Sequence, residues 1–312
     1  MSRTLCTRAA AKLNLTLEVQ GRRADGFHNL ASVVTSIDLA DDVRLRPSTG
    51  RSVRYVDESG RSVSILTTDD IILRAWDALE HHANRPLGAV VDVVKRIPIS
   101  AGLGGGSTDA AAFLRLARVA WDLPLTDAEL SEIAASVGSD VPACLVGGMV
   151  RMDGRGELIS SIDMPASALA GWSAFIFSPE LPVPAEKTAT MYRSLRSGDW
   201  RSGDATDALV TSLVAGTPPT QDDCVNSFDG VAREVMQGLT AAWRRMGAAV
   251  GWACHYARID SPIPLLAGAG PSMFAIVPSQ IASAALADLS NGGFACAARP
   301  LSRERAIEIW EC

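Results

Sequence analysis

The sequence predicts an α+β protein of two domains. Three observations carry that prediction. Strand-like and helix-like segments are intermixed along the chain, several neighbouring strands are hairpin-like rather than separated by helices, and a polar, punctuated stretch around residues 155–165 separates two halves of similar mixed pattern. A boundary there divides the chain into domains over 1–160 and 161–312. With 47% apolar and 21% charged residues, 312 residues suffice to bury a substantial core.

Taken in order, residues 9–20 alternate from Leu13 onward and read as a strand. Arg22-Arg23-Ala24-Asp25-Gly26 is a polar turn. Segments 30–39, 43–46 and 53–56 read as further strands. Thr67-Thr68-Asp69-Asp70 opens a helix running from Ile71 to His82, and Val90–Val94 is a β-branched strand that leads into Lys95-Arg96-Ile97-Pro98. A glycine loop follows, then an alanine-rich helix from about Thr108 to Trp121, with Ser107 or Thr108 placed to cap it. Thr126 caps a helix over Asp127–Val137. Gly138-Ser139-Asp140-Val141-Pro142 is a turn before an apolar small-residue segment, 143–150. The second half reads as strand 172–177, helices near 185–196 and 228–246, strand 273–277, helix 279–290 and a final strand pair.

The net charge of −6 and the pI near 5.3 give no basic stripe for nucleic acid. No run of about 18 apolar residues is present to span a membrane, and the first residues lack the apolar core of a signal peptide, so the expected location is the cytoplasm. Cysteines stand at 6, 144, 224, 254, 296 and 312; with no C-x-x-C pair they read as free thiols in a reducing compartment. Only three lysines occur, Lys12, Lys95 and Lys187, so 26 of the 29 basic residues are arginine. A retained lysine then marks a place where a compact ammonium works and a wide guanidinium does not.

Pro98-Ile99-Ser100-Ala101-Gly102-Leu103-Gly104-Gly105-Gly106-Ser107-Thr108 is the most informative stretch. Its glycines allow positive φ and close backbone approach to a ligand, and the helix that follows offers free N–H groups and the positive end of its dipole to an anion. Together they describe a phosphate cradle. No Gly-Lys-Ser/Thr follows, so it is not a Walker A loop, and the G-x-G-x-G spacing is a poor Rossmann fingerprint.

Pro-x-x-x-Gly-Leu-Gly-Gly-Gly-Ser resembles the second motif of the galactokinase, homoserine kinase, mevalonate kinase and phosphomevalonate kinase (GHMP) superfamily. Ala11-Lys12-Leu13-Asn14-Leu15 resembles its first motif, and Leu266-Ala267-Gly268-Ala269-Gly270-Pro271-Ser272 its third. The resemblance implies a two-domain fold, a ribosomal protein S5 domain 2-like N-terminal domain followed by a ferredoxin-like one. It also implies ATP held by Lys95, Pro98, Gly102, Leu103, Gly104, Gly105, Gly106, Ser107, Thr108, Gly268 and Gly270, with Mg2+ carried mostly by phosphates and waters and Ser107 as its one protein ligand.

Further segments are similar to one branch of the superfamily, which acts on a cytidine diphosphate-linked polyol: Arg23-Ala24-Asp25-Gly26-Phe27-His28, Lys95-Arg96-Ile97-Pro98, Gly138-Ser139-Asp140-Val141-Pro142, Lys187-Thr188-Ala189-Thr190-Met191-Tyr192 and Asn226-Ser227-Phe228-Asp229. By that resemblance Phe27 and Tyr192 sandwich a cytosine, His28 bonds its polar edge, and Asn14 and Thr188 help hold the substrate. Asp140 is the base and Lys12 its cationic partner in phosphorylating the tertiary C2 hydroxyl of a methylerythritol unit, a step of the non-mevalonate isoprenoid route. A homoserine, mevalonate or sugar kinase, a decarboxylase on the same fold and a non-catalytic nucleotide binder stay open as alternatives. Four positions depart from the pattern. Ala269 and Lys187 stand where serine is usual, Ser227 where aspartate is, and Asp70 where asparagine is. About ten extra residues around 252–264 form either a surface loop or a lid.

Overall fold

The computed structural model describes residues 3–65, 70–281, 289 and 292–312. The chain opens with β1 (Leu5–Asn14), β2 (Thr16–Arg22), β3 (His28–Pro47) and β4 (Arg51–Asp57), followed by α1 (Ile71–Ala83), β5 (Ala89–Lys95), α2 (Gly105–Ala120), α3 (Asp127–Val137), α4 (Val141–Val146), β6 (Met149–Asp153) and β7 (Leu158–Ser161). The remainder comprises β8 (Trp172–Pro179), α5 (Lys187–Ser194), α6 (Asp204–Val214), β9 (Val225–Asn226), α7 (Asp229–Val235), α8 (Leu239–Ala257), β10 (Leu265–Leu266), β11 (Met273–Pro278), β12 (Gly293–Ala298), α9 (Arg303–Ala306) and β13 (Ile309–Glu311). Of the helix expected over 279–290, residues 282–288 and 290 lie outside the described residues, as do Thr67–Asp69.

Among the described residues, two sheets organise the molecule. The larger has nine strands along the path β13-β1-β3-β2-β9, with β5, β4, β6 and β7 joined through β3; the smaller is β10-β11-β8-β12. Helices α1 to α4 cover the larger sheet, where Trp76, Phe113, Leu45 and Val91 are fully buried in one core. A second core draws Leu13, Val33 and Leu103 together with Trp172, Phe274 and Ile276, so side chains from both sheets interleave. Both β9 and β13 come from beyond residue 160 yet join the larger sheet.

Several elements differ from the sequence expectation for identifiable reasons. Segments 30–39 and 43–46 form one strand, β3. Asp41 and Asp42 look like a break, but Asp41 is fully buried and its carboxylate accepts from Lys95 and from the backbone N–H groups of Arg96 (2.5 Å) and Ile97 (2.8 Å). A satisfied buried carboxylate does not interrupt a strand. The expected helix 228–246 is two helices broken before Gly238, whose φ of 88° opens α8. The final strand pair does not pair with itself: β12 lies on β8 and β13 on β1. Helix α6 was not anticipated. Of the extra residues from 252, the first six continue α8 to Ala257 and Arg258 in the left-handed region caps it, while 259–264 follow as a largely exposed loop.

The cysteine reading also needs correction. Pairing of β13 with β1 brings the chain ends together, and Cys6 and Cys312 form a disulfide with Cα atoms 6.0 Å apart across a separation of 306 residues. No sequence spacing reports such a contact. Cys144, Cys224, Cys254 and Cys296 are free, as expected. Among the described residues no helix is long and apolar enough to cross a membrane.

Candidate active site

The phosphate cradle is built at the start of α2. The helix begins at Gly105, three residues before the expected Thr108, and its N-cap is Gly104 in the left-handed conformation (φ 71°) with no side-chain cap bond. Neither Ser107 nor Thr108 caps it. The amides of Gly105, Gly106 and Ser107 occupy the first turn, where no carbonyl inside the helix can receive them. Thr108 is withdrawn from this set. It is buried, its amide donates to the Gly104 carbonyl (2.8 Å) and its hydroxyl to the Ala10 carbonyl (2.7 Å). It holds α2 against β1 rather than facing a nucleotide.

All three glycine-and-lysine motifs converge here. The Lys12 amide donates to the Leu103 carbonyl (3.0 Å), and the Ser272 amide to the Ala101 carbonyl (3.1 Å). A Cβ at Gly102 would lie 2.1 Å from the Ala267 carbonyl oxygen and one at Gly104 2.6 Å from Lys12 Cγ, so contact is close enough to require glycine at both places. The Leu103 side chain is buried in the shared core, which leaves only its backbone for a ligand.

Lys12 follows a β-bulge between Ala10 and Lys12, a feature that re-aims side chains. Its ammonium stands 3.2 Å from Asp140 Oδ2, with side-chain exposures of 7% and 36%, and donates to Asn14 Oδ1 at 2.6 Å. Asn14 in turn donates to Ser32 Oγ at 2.9 Å, a residue with no motif signal of its own. Asp140 is the N-cap of α4 yet makes no side-chain cap bond, so its carboxylate is not consumed locally. Helix α4 is fixed by the buried Arg115 of α2, which donates to the Cys144 carbonyl at 2.8 Å. Lys12 and Asp140, separated by 128 positions in the chain, are thus brought into direct contact.

Lys95 is placed differently from the expectation that it flanks the nucleotide. Its ammonium is 7% exposed, contacts Asp41, and lies 2.6 Å from Asp109 Oδ2. Burial opposes its charge, but Asp109 and Asp41 outweigh that and raise its pKa. Burial raises Asp109, with Lys95 opposing and Asp41 adding to the rise. The triad lies beneath the loop, since a Cβ on Gly105 would come within 3.5 Å of Lys95 Nζ. Lys95 therefore supports the cradle from below.

At the other end of the site, His28 and Tyr192 stack with centroids 4.9 Å apart and planes inclined by 25°, and Phe228 meets Tyr192 edge-on at 5.0 Å. Phe27 does not face Tyr192. It is 54% exposed and its ring, directly after the polar turn, lies under the Arg155 guanidinium at 4.8 Å, so the expected sandwich is not assembled. Burial, followed by the nearby Arg22 charge, lowers the His28 pKa and favours a neutral imidazole. Thr188 is exposed on the first turn of α5.

The Asn226–Asp229 segment supports the third motif. Asn226 Nδ2 donates to the carbonyls of Leu266 (2.8 Å) and Gly268 (2.9 Å), and Asp229 Oδ1 accepts from the Leu266 amide (3.0 Å). Burial pushes the Asp229 carboxyl up to about 7, against the Leu266 amide and Arg233. Between the ordinary value of 3.8 and about 7 the folded state keeps a proton that the unfolded chain has released, so stability falls as pH rises through that window and levels off above it. Asp229→Asn removes the slope while retaining an acceptor. Its melting temperature is expected to exceed that of the parent by several degrees at about pH 8 and to match it near pH 4; calorimetry at both pH values checks this.

Residues 70–148 match the family described as GHMP kinases N terminal domain. A 4-diphosphocytidyl-2-C-methyl-D-erythritol kinase from Dehalococcoides mccartyi is 34% identical over 272 residues, covering 87% of this chain and 89% of the relative. The chain belongs to that kinase family, within the GHMP superfamily. A family member from Gloeobacter violaceus is 31% identical across 99% of this chain and 94% of its own length. A crystal structure of 4-(cytidine 5'-diphospho)-2C-methyl-D-erythritol kinase superposes with a TM-score of 0.74 at 28% identity, covering 95% of this chain and 98% of that one. A homoserine kinase from Cytophaga hutchinsonii, at 16% identity and a TM-score of 0.66 over 97% of both chains, shares the fold. The architecture is the α+β GHMP kinase fold that the motifs implied.

Proposed function

We propose that this protein is an ATP-dependent kinase that transfers the γ-phosphoryl group of ATP to the C2 hydroxyl of 4-diphosphocytidyl-2-C-methyl-D-erythritol. The observation that carries the reading is the 3.2 Å contact between the Lys12 ammonium and the Asp140 carboxylate, beside a helix start whose free amides can receive phosphate. The names of its family relatives support the choice of acceptor.

In this reading Asp140 accepts the hydroxyl proton as the C2 oxygen bonds to phosphorus and the bond to the β-phosphate oxygen breaks, releasing ADP. Lys12, 3.2 Å from the carboxylate, holds it in place and stabilises charge developing on the transferred phosphoryl oxygens. Asn14 orients the ammonium. Gly102 to Ser107 and Gly268 to Gly270 supply close backbone approach to the nucleotide. Tyr192, braced by Phe228, offers the cytosine a stacking face, and stacking of this kind is worth about 1–3 kcal/mol per base. Neutral His28 is suited to the base's polar edge, and a contribution from Phe27 requires its exposed ring to leave the Arg155 guanidinium.

Among the described residues no three histidine, cysteine or acidic side chains form a metal-binding group. That suits Mg2+ arriving with the triphosphate, which keeps most of its shell as phosphate oxygens and waters, with the Ser107 hydroxyl as protein ligand. When bound, the ion neutralises phosphate charge. The acidic chain and its small-molecule chemistry fit a cytoplasmic enzyme with no nucleic-acid partner.

The test is ADP release by the purified protein with the cytidyl substrate, mevalonate or homoserine as acceptor. The cytidyl substrate is expected to exceed the others by at least roughly a hundredfold in kcat/KM. A faster rate with mevalonate or homoserine would reject the assignment.

A further inference from the structure

Lys187 is the third of the chain's three lysines, and it stands where the resembling motif usually has serine. It opens α5, the helix whose far end presents Tyr192 to His28. Its ammonium donates to the Ser100 carbonyl in the glycine loop at 2.5 Å and also to the Gly270 carbonyl in the third motif. These are the two segments that close on one another at Gly102, Ala267 and Gly270. A serine hydroxyl has one proton to donate and cannot bridge both as a donor; an ammonium has three N–H donors, so two carbonyls leave one unspent.

The charges around it are unbalanced. Lys12 on β1 and Asp140 at the start of α4 both act on Lys187. On its own segment, Glu186 is turned to Arg193 at 3.3 Å in an exposed pair. Burial first, then repulsion from Lys12, bring the Lys187 ammonium down to about 8, with Asp140 opposing. Two ammonium groups against one carboxylate leave a partly buried surplus of positive charge, which is unfavourable until an anion arrives. The amides of the first turn of α2 add to the same positive field.

We propose that Lys187 is a second cationic group of the phosphoryl-transfer site, clamping the glycine loop to the third motif and giving its remaining N–H to the triphosphate of bound ATP. The proposal rests on the kinase reading in taking ATP as that anion. It makes Lys187 a nucleotide-binding residue in a position where serine would leave the two motifs unbridged. Because deprotonation removes both the positive charge and the third N–H, ATP affinity should decline as pH rises through about 8.

The experiment measures binding of a non-hydrolysable ATP analogue with Mg2+ and no acceptor, by calorimetry, for the wild type, Lys187→Met and Lys187→Ser at about pH 7 and pH 9. Both variants are expected to bind roughly tenfold or more weakly at pH 7 and to lose the weakening between pH 7 and 9 that the wild type shows. Steady-state assays should then show the loss in the KM for ATP, with the KM for the acceptor little changed. Lys187→Ser, the side chain usual at this place, guards against a fold failure in Lys187→Met, and a melting curve for each identifies one. Wild-type affinity and an unchanged pH response in Lys187→Ser would overturn the proposal. Since no acceptor is present in the binding assay, the expected loss in the variants would uphold the role of Lys187 even if the cytidyl compound proved not to be the substrate. A wild type that binds no analogue would end both readings.

Discussion

Asp140→Ala is expected to lower turnover at least roughly a hundredfold while leaving the fold intact, the usual range for loss of a general base being about 10²–10⁴. The carboxylate makes no cap bond to α4 and is 36% exposed, so helix α4 does not depend on it, and the cost to stability is that of losing its contact with the buried Lys12 ammonium. Asn14 Oδ1 still receives the Lys12 ammonium at 2.6 Å, so the lysine is not left without an acceptor. Asp140→Asn separates two contributions, because it keeps the shape while removing both the basic oxygen and the charge beside Lys12. Both variants should still bind the ATP analogue and fail in ADP release. Parental turnover in Asp140→Ala would exclude the residue as base and, with it, the mechanism built on the Lys12 contact.

Gly102→Ala should be the most damaging single methyl group in the molecule's nucleotide region. Its Cβ would lie 2.1 Å from the Ala267 carbonyl oxygen and 3.0 Å from the Gly270 amide, both backbone atoms, at a φ of 89°. Unlike a clash with the end of a flexible side chain, this one is relieved only by separating the glycine loop from the third motif. The expected result is a loss of about a hundredfold or more in kcat/KM for ATP together with a lower melting temperature. Gly60→Ala provides the control. Gly60 has a comparable φ of 81° but nothing within 4 Å of the added Cβ, so it reports the left-handed backbone cost alone, about 1–2 kcal/mol. If Gly102→Ala proved no worse than Gly60→Ala in stability and retained ATP turnover, the close approach of the two motifs would not matter to function.

Local information was sufficient wherever the physical cause is local. The Thr126 cap is an example: Thr126 and Glu129 form a reciprocal capping box, and both partners lie within four residues. The boundaries of α1 and β5 follow from short-range periodicity in the same way. Helix α2 was misjudged at its start because Ser107 and Thr108 look like caps, whereas Gly104 reached the left-handed conformation and the buried Thr108 hydroxyl found the Ala10 carbonyl of β1 instead. Lys95 departs from expectation in its partners for a related reason. A lysine beside a phosphate loop suggests a phosphate contact, and only the fold reveals that Asp41 and Asp109 reach it first.

By itself the sequence determined the chemistry on offer: a glycine-rich helix start for phosphate, one lysine and one aspartate suited to phosphoryl transfer, aromatic residues suited to a base, and a composition that favours arginine over lysine almost everywhere else. Residue type and short spacing set these properties, and neither depends on how distant segments meet. Tertiary structure decided which groups act together. It joined Lys12 to Asp140, drew the Phe27 ring away to Arg155 while stacking His28 on Tyr192, tied Cys6 to Cys312, and set Lys187 across two motifs more than 160 positions apart in the chain. Such contacts depend on strand register and helix packing over long separations, where hydrogen bonding and burial are satisfied jointly and no short window of sequence carries the answer.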